Sequence, residues 1–245
     1  MKDKFAVVTG ASYGLGLAVV QNLLDGGFKV IGISRTKPKI NNSDFEWIKV
    51  DLTNEVDIIS LSNKIKADNI SLLVNNAGTA ILENALGFSE DSFNKTFCLN
   101  FKAPIKVTSV LSNKLQNGLI INVSSTSDRF AEKLYGLYCA SKTALNIYFD
   151  AIGLENPKIK IFNLLPSYIN TPLQHKLNDD KDFSWDEAMR TEQVADCVLY
   201  MFNNQQKFVS GTRVIVISDK LKSDIEDPEK LWFYNVDTKE IKKLK

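Results

Sequence analysis

The sequence predicts an α/β fold: a doubly wound parallel sheet of about seven strands with helices on both faces. Two observations carry that reading. Short runs rich in Val and Ile alternate with longer amphipathic segments, the pattern of repeated strand–helix units around a parallel sheet. The first run also opens into a glycine-dense turn, Thr9-Gly10-Ala11-Ser12-Tyr13-Gly14-Leu15-Gly16.

The chain has 245 residues, enough to bury a substantial core without disulfides or metals. Thirty basic residues (Lys+Arg 30) face 29 acidic ones, a net charge of +1. No bulk field draws the protein to nucleic acid or an anionic membrane, so neither is expected as a partner. Cys98, Cys139 and Cys197 form no C-x-x-C pattern, and with His175 the only histidine no metal site is expected. No run is apolar enough for a signal core or a membrane span, which predicts a cytoplasmic protein.

Strands are expected near residues 5–9, 29–34, 46–50, 72–75, 119–124, 160–164 and 213–217, mostly bounded by Gly, Asn, Asp or Pro. Residues 1–222 read as one domain. Residues 223–245 read as an appendage, not an independent domain, in which 231–236 and 239–244 suit a hairpin around Asp237-Thr238. Exposed Trp232 and Phe233 would be costly, so this appendage is expected to pack on its own domain or on a sister subunit.

The turn after the first strand gives the first functional signal. Gly10, Gly14 and Gly16 let the backbone turn sharply and approach a pyrophosphate, while the following helix offers free N–H groups to the anion. Ser12, Tyr13 and Leu15 belong to the same candidate cofactor loop. At the end of the second strand a NAD site would place a carboxylate about 20 residues beyond the glycines. Ser34 and Arg35 stand there instead, and a guanidinium binds a 2′-phosphate where a carboxylate repels it. NADP(H) is therefore favoured over NAD(H). The third strand leads to Asp51-Leu52 and the fourth to Asn75-Asn76-Ala77-Gly78, at strand ends that open onto a cofactor crevice.

The second signal is Tyr138-Cys139-Ala140-Ser141-Lys142, in a helix expected over 138–155. Tyr and Lys four apart share one helix face. A nearby cation lowers a phenol from its usual value of roughly 10 by about one to three units, which would make the pair a usable acid/base. Ser125 brings a hydroxyl to the same sheet edge thirteen residues earlier.

In their order and spacing these motifs resemble the short-chain dehydrogenase/reductase family of the compact, single-domain kind. The resemblance runs from Lys4 to about Ile217 and implies a Rossmann fold. It also implies that Tyr138 is the general acid/base, that Ser125 bonds the substrate oxygen, and that Lys142 holds the nicotinamide ribose and lowers the Tyr138 pKa. Asn100 would support a proton relay. Asp51 would contact adenine, Asn76 and Gly78 would border the cofactor, and Pro166, Ile169 and Thr171 would position the nicotinamide. The implied activity is hydride transfer between NADP(H) and a carbonyl/alcohol pair, in a homodimer or homotetramer with the Tyr138 helix near an interface.

Three departures stand out: Pro166-Ser167 for the usual Pro-Gly, Asp128 where members commonly carry glycine, and no glycine pair after the last strand. Residues 171–191 form the expected substrate lid, with Leu173, His175, Phe183, Trp185 and Met189; its mixed polarity does not select a substrate. Two other readings are a noncatalytic NADP-sensing or partner-binding module, against which the full set Ser125, Tyr138 and Lys142 argues, and a nucleotide-sugar epimerase or dehydratase, against which the glycine spacing argues.

Overall fold

The computed structural model describes residues 4–177, 185–219 and 231–243, so Phe183 of the lid lies outside the described residues. One sheet organises the molecule: β1 (Phe5–Thr9), β2 (Lys29–Ser34), β3 (Phe45–Lys49), β4 (Leu72–Asn75), β5 (Leu119–Val123), β6 (Lys160–Pro166), β7 (Thr212–Ile217), β8 (Leu231–Asn235) and β9 (Glu240–Lys243). Their spatial order is β3-β2-β1-β4-β5-β6-β7-β8-β9, parallel throughout except for the last pair. From β1 the chain winds outward to β2 and β3, then crosses back to place β4 on the other side of β1. That reversal leaves a crevice beyond the ends of β1 and β4.

The Val/Ile runs form strands because both sheet faces are covered, so successive side chains are buried on opposite sides. On one face Val8, Val30, Val74, Ile121 and Leu164 pack under α1 (Gly14–Asp25) and α8 (Thr191–Asn203) through Leu23, Val194 and Val198. On the other, Val7, Ile31, Leu73, Ile120 and Ile161 meet α2 (Glu55–Ile59), α3 (Leu61–Lys64), α5 (Ala103–Leu111) and α6 (Gly136–Glu155). Ile58, Leu61, Val107, Leu145 and Phe149 fill that layer. Asn54 starts α2 by accepting the Val56 N–H at 2.9 Å. Helix α4 (Glu90–Phe97) runs into a five-residue π turn, Cys98–Lys102, before α5.

The sheet has nine strands where about seven were expected. The difference lies in the C-terminal segment. There β8 pairs in parallel with β7, Val214 opposite Trp232 and Val216 opposite Tyr234, and β9 returns antiparallel to β8. Apolar burial explains the attachment. Trp232 meets the Phe208 ring edge-on at 5.5 Å, and Tyr234 is buried with its ring 5.8 Å from that of Tyr200. Among the described residues no helix is long and apolar enough to cross a membrane.

Candidate active site

The glycine turn is held by its neighbours as much as by its own conformation. Gly10 has φ +69°, and a Cβ there would come within 2.8 Å of Asn76 Nδ2. A Cβ on Gly16 would stand 2.1 Å from the Gly10 carbonyl oxygen. Asn76 donates through Nδ2 to the Thr9 carbonyl at 2.9 Å, while its own N–H and that of Ala77 donate to Thr9 Oγ1 at 3.0 and 3.1 Å. The turn after β1 and the turn after β4 are thus one unit, clasped by Thr9 and Asn76. Thr9 was not among the sequence candidates, because a hydroxyl bridging two distant turns leaves no local signature.

Helix α1 starts from this turn with Tyr13 at its N-cap, and no side chain caps the first N–H groups. Unsatisfied helix N–H groups beside a cradle that any Cβ would fill suit the phosphates of a dinucleotide, so the residues present fit that cofactor. Gly14 and Leu15 lie in the first turn of α1, Ser12 just before it.

At the end of β2, Ser34 is buried, donates to the Thr36 carbonyl at 2.8 Å and accepts from Trp47 Nε1 at 3.1 Å, so its hydroxyl is committed within the fold. Arg35 is exposed next to it. Asp51 accepts the Thr53 N–H at 2.9 Å and the Thr53 hydroxyl at 2.7 Å. Those bonds hold its carboxyl below the usual range, with Arg35 adding a smaller pull across the strand ends. Leu52 is buried.

Tyr138 and Lys142 occupy the first turns of α6, on the face toward the crevice. The spacing puts the Lys142 ammonium 5.7 Å from the Tyr138 ring centroid. A Cβ on Gly78 would lie 3.5 Å from Lys142 Nζ and 3.3 Å from Asn100 Oδ1, which locates the turn after β4 beside both. Ser125 caps the short 3-10 turn Thr126–Asp128 after β5, accepting the Ser127 N–H at 3.1 Å and donating to Ser127 Oγ at 3.1 Å, and its hydroxyl is near enough to the Tyr138 phenol to pull its pKa down. Ser125, Tyr138, Lys142 and Gly78 therefore converge.

The charge state of this group differs from the sequence expectation. Burial pushes the Tyr138 phenol up to about 12, the Ser125 hydrogen bond opposes it, and Glu132, Cys139 and Tyr135 raise it further. Lys142 is buried too, which brings it down to about 8, and it donates to the Val123 carbonyl at 2.8 Å. Two groups that share a helix face also share its desolvation, which is the largest cause of both shifts.

Asn100 lies in the π turn between α4 and α5. Its Oδ1 accepts the Thr79 N–H at 2.8 Å, and its Nδ2 donates to the Thr79 carbonyl at 2.8 Å and to Ser141 Oγ at 3.0 Å. Ser141 in turn donates to the Tyr138 carbonyl at 2.7 Å. In this arrangement the Asn100 side chain ties the turn after β4 to the first turns of α6.

Pro166 ends β6. Beyond it, Ile169 bridges Met189, and Asn170 N–H donates to the Met189 carbonyl at 2.8 Å, which closes the base of the lid. Thr171 Oγ1 accepts the Gln174 N–H at 3.2 Å at the start of α7 (Pro172–Leu177). A Cβ on Gly14 would stand 3.8 Å from Thr171, so the root of the lid adjoins the glycine turn. His175 stacks on Trp185 at 3.7 Å and bonds Asn170 Oδ1 at 2.8 Å, a packing role within the lid. Asp128 is buried; it accepts from Asn146 Nδ2 at 2.8 Å, and burial raises its carboxyl against the pull of Arg129.

The fold and this arrangement define a nucleotide-binding α/β oxidoreductase scaffold. The family model described as short chain dehydrogenase matches residues 4–182, and the chain belongs to the short-chain dehydrogenase/reductase family. It is 29% identical over 231 residues to mouse L-xylulose reductase, covering 86% of this chain and 93% of that enzyme. It is 27% identical over 234 residues to an NAD-dependent glycerol dehydrogenase of Listeria innocua, covering 87% and 92%. Ligand-free aldohexose dehydrogenase of Thermoplasma acidophilum superposes with a TM-score of 0.81 at 24% identity, covering 93% of this chain and 98% of that one.

Proposed function

We propose that this protein is an NADP(H)-dependent oxidoreductase acting on a hydroxylated carbonyl/alcohol pair, with Tyr138 as the general acid/base. The observation that carries the reading is Lys142 Nζ standing 5.7 Å from the Tyr138 ring centroid with the Gly78 turn alongside, and Ser125 close enough to act on the phenol. The nicotinamide ring, when bound, supplies or accepts the hydride. Ser125 and Tyr138 bind the substrate oxygen, and Tyr138 donates a proton to it as the carbonyl is reduced. A phenol held near 12 stays protonated through the physiological range, which suits the reductive direction. Lys142 and the Asn76–Gly78 turn orient the cofactor ribose, and Asn100 holds that turn against α6.

Arg35, exposed at the end of β2 with no carboxylate in its place, supports NADP over NAD. The Listeria relative is named for NAD, so the preference calls for direct measurement. A ketopentose and a polyol in the names of the two relatives support a polyhydroxylated substrate. Three unpaired cysteines support a reducing, cytoplasmic setting. A row of rings, Phe88, Phe93, Phe97, Phe101 and Tyr148, crosses α4 and α6 with centroids 4.6 to 6.3 Å apart. Beside it Ile147 is 58% exposed and Leu154 85%, which supports a homodimer formed through α6.

A panel of ketoses, polyols, simple ketones and aldehydes followed by NADPH absorbance tests the reading. Tyr138→Phe should lose turnover by at least about 10² while still binding NADPH. Turnover at the wild-type rate in that variant would remove Tyr138 from the chemistry.

A further inference from the structure

Ser125 and Tyr138 come from different elements. Ser125 opens the turn after β5 and Tyr138 lies in the first turn of α6, so whatever ties turn to helix sets how the two hydroxyls stand. Asp128, the last residue of the turn, supplies two such ties. Its carbonyl accepts the Thr143 hydroxyl of α6 at 2.8 Å, and its Oδ2 accepts Asn146 Nδ2 of the same helix at 2.8 Å. Thr143 and Asn146 are three apart and share a helix face. Arg129 Nε stands 3.4 Å from Asp128 Oδ1, and the charges of Arg213 on β7 and Asp150 on α6 also reach the carboxyl. The Asp128 side chain is 2% exposed and Asn146 is fully buried, so water competes little for their bond. Within the turn, the Asp128 N–H donates to the Ser125 carbonyl at 3.2 Å and the Ser127 N–H to Ser125 Oγ at 3.1 Å, which makes Ser125 and Asp128 one piece. The helix has its own hold on the sheet, because Asp150 accepts from Asn163 of β6 and Arg213 of β7. A carboxyl taken out of water costs stability even when it is paired. What it supplies here is a directed bond between two elements that apolar packing would leave free to slide.

We propose that Asp128 is a positioning residue that locks the Ser125 turn onto α6 through Asn146 and Thr143, and so sets the Ser125 hydroxyl against the Tyr138 phenol. This role rests on the reading in which Ser125 and Tyr138 share the substrate oxygen. Asp128 touches neither substrate nor cofactor, and no proton passes through it; it acts through Ser125. Without its carboxyl the turn keeps its internal bonds but shifts along α6, while Tyr138 and Lys142 stay where the Asp150 contacts hold their helix. The loss therefore falls on carbonyl reduction and spares cofactor binding.

Amide hydrogen exchange of the ligand-free protein measures the lock directly. In Asp128→Ala the amides of residues 127 and 128 should exchange roughly tenfold faster, and those of α6 from Leu145 to Asp150 should stay within about threefold of wild type. Kinetics shows whether the lock serves the chemistry. With L-xylulose, or with the panel ketone that wild type reduces fastest, kcat should fall roughly tenfold or more in Asp128→Ala, while NADPH affinity stays within about twofold. Asp128→Asn keeps an oxygen for Asn146 and should hold kcat within about threefold of wild type. Thr143→Val removes the other tie without opening a cavity and should also lower kcat; it carries the test if Asp128→Ala does not fold. In a Ser125→Ala background, Asp128→Ala should cost less than about twofold more, because Asp128 acts only through that serine. A general structural role gives the same loss in both backgrounds and weaker NADPH binding. That result, wild-type exchange and turnover in Asp128→Ala, or an Asn variant as slow as the Ala variant overturns the lock. If Ser125→Ala turns over like wild type, the reading of the active site fails; if it is impaired while Asp128→Ala is not, only the lock fails.

Discussion

Asn122 donates its side-chain amide to the Asn163 oxygen across adjacent strands at 3.0 Å, and both residues are fully buried. They are the middle of a ladder. Asn75 donates to Asn122 at 2.9 Å, and Asn163 donates to Asp150 of α6 at 3.2 Å. Arg213 completes the carboxylate at 2.8 Å. Asn75, Asn122, Asn163 and Arg213 stand opposite one another in the strand register, so one polar row crosses β4 to β7. Because Asp150 is on the helix that carries Tyr138 and Lys142, the row fixes that helix relative to the sheet. Buried amides that hydrogen-bond from strand to strand specify a register that apolar contacts alone leave free to slide.

Asn122→Leu should therefore destabilise the protein by roughly 2–4 kcal/mol, since Asn75 loses its acceptor and Asn163 its donor inside the sheet. The urea midpoint measures it. A variant within error of wild type would mean that water or repacking replaces the row.

Gly16→Ala should abolish cofactor binding and lower the melting temperature, because the new methyl would occupy space 2.1 Å from the Gly10 carbonyl and 2.5 Å from Asn76 Nδ2. Gly87→Ala is the matched control, with nothing within 4 Å of the new atom. Calorimetric titration with NADPH should show binding retained in the second variant alone.

Buried Lys142 and half-buried Tyr138 give the ligand-free protein an unusual dependence on alkaline pH. Lys142 titrates near 8 when folded against 10.5 as a free side chain, so between those values the unfolded chain holds more protons and stability rises with pH. Tyr138 is raised from 10.0 to about 12, so over that interval the folded chain holds the extra proton and stability falls. Lys142→Met should remove the rising limb and raise stability at pH 7 by roughly 2–4 kcal/mol, the cost of the buried charge. Urea midpoints at pH 7, 9 and 10.5 for both proteins check this; parallel profiles would refute it.

The strands were legible because a sheet covered on both faces writes itself as Val/Ile runs cut by turn residues, as in Lys29–Ser34 and Leu72–Asn75. The Tyr138–Lys142 face was legible from helical spacing. The sign of the Tyr138 shift was not, because spacing gives adjacency and says nothing of desolvation or of the Val123 carbonyl that takes the ammonium. The Asn75–Asn122–Asn163 row was hidden for a related reason. Asn75 ends its strand and reads as a turn residue, whereas Asn122 and Asn163 interrupt apolar runs, and only the register, a long-range property, places the three side by side.

Arg35 offers the clearest test of cofactor choice, because its surroundings are already acidic. Asp51 lies within its electrostatic reach at the end of β3, held ionised mainly by Thr53. Arg35→Asp would set a second carboxylate there, repelling a 2′-phosphate while leaving a hydroxyl acceptable. NADPH should bind at least about tenfold more weakly, and NADH should change by less than about threefold. Trp47, whose indole N–H bonds Ser34 Oγ beside Arg35, provides a fluorescence signal at the site. Added salt should weaken NADPH binding to wild type and have little effect on the variant, since the screened interaction is gone. If the ratio of the two affinities is the same in both proteins, Arg35 is only a solvated charge and the preference must be read elsewhere in the crevice.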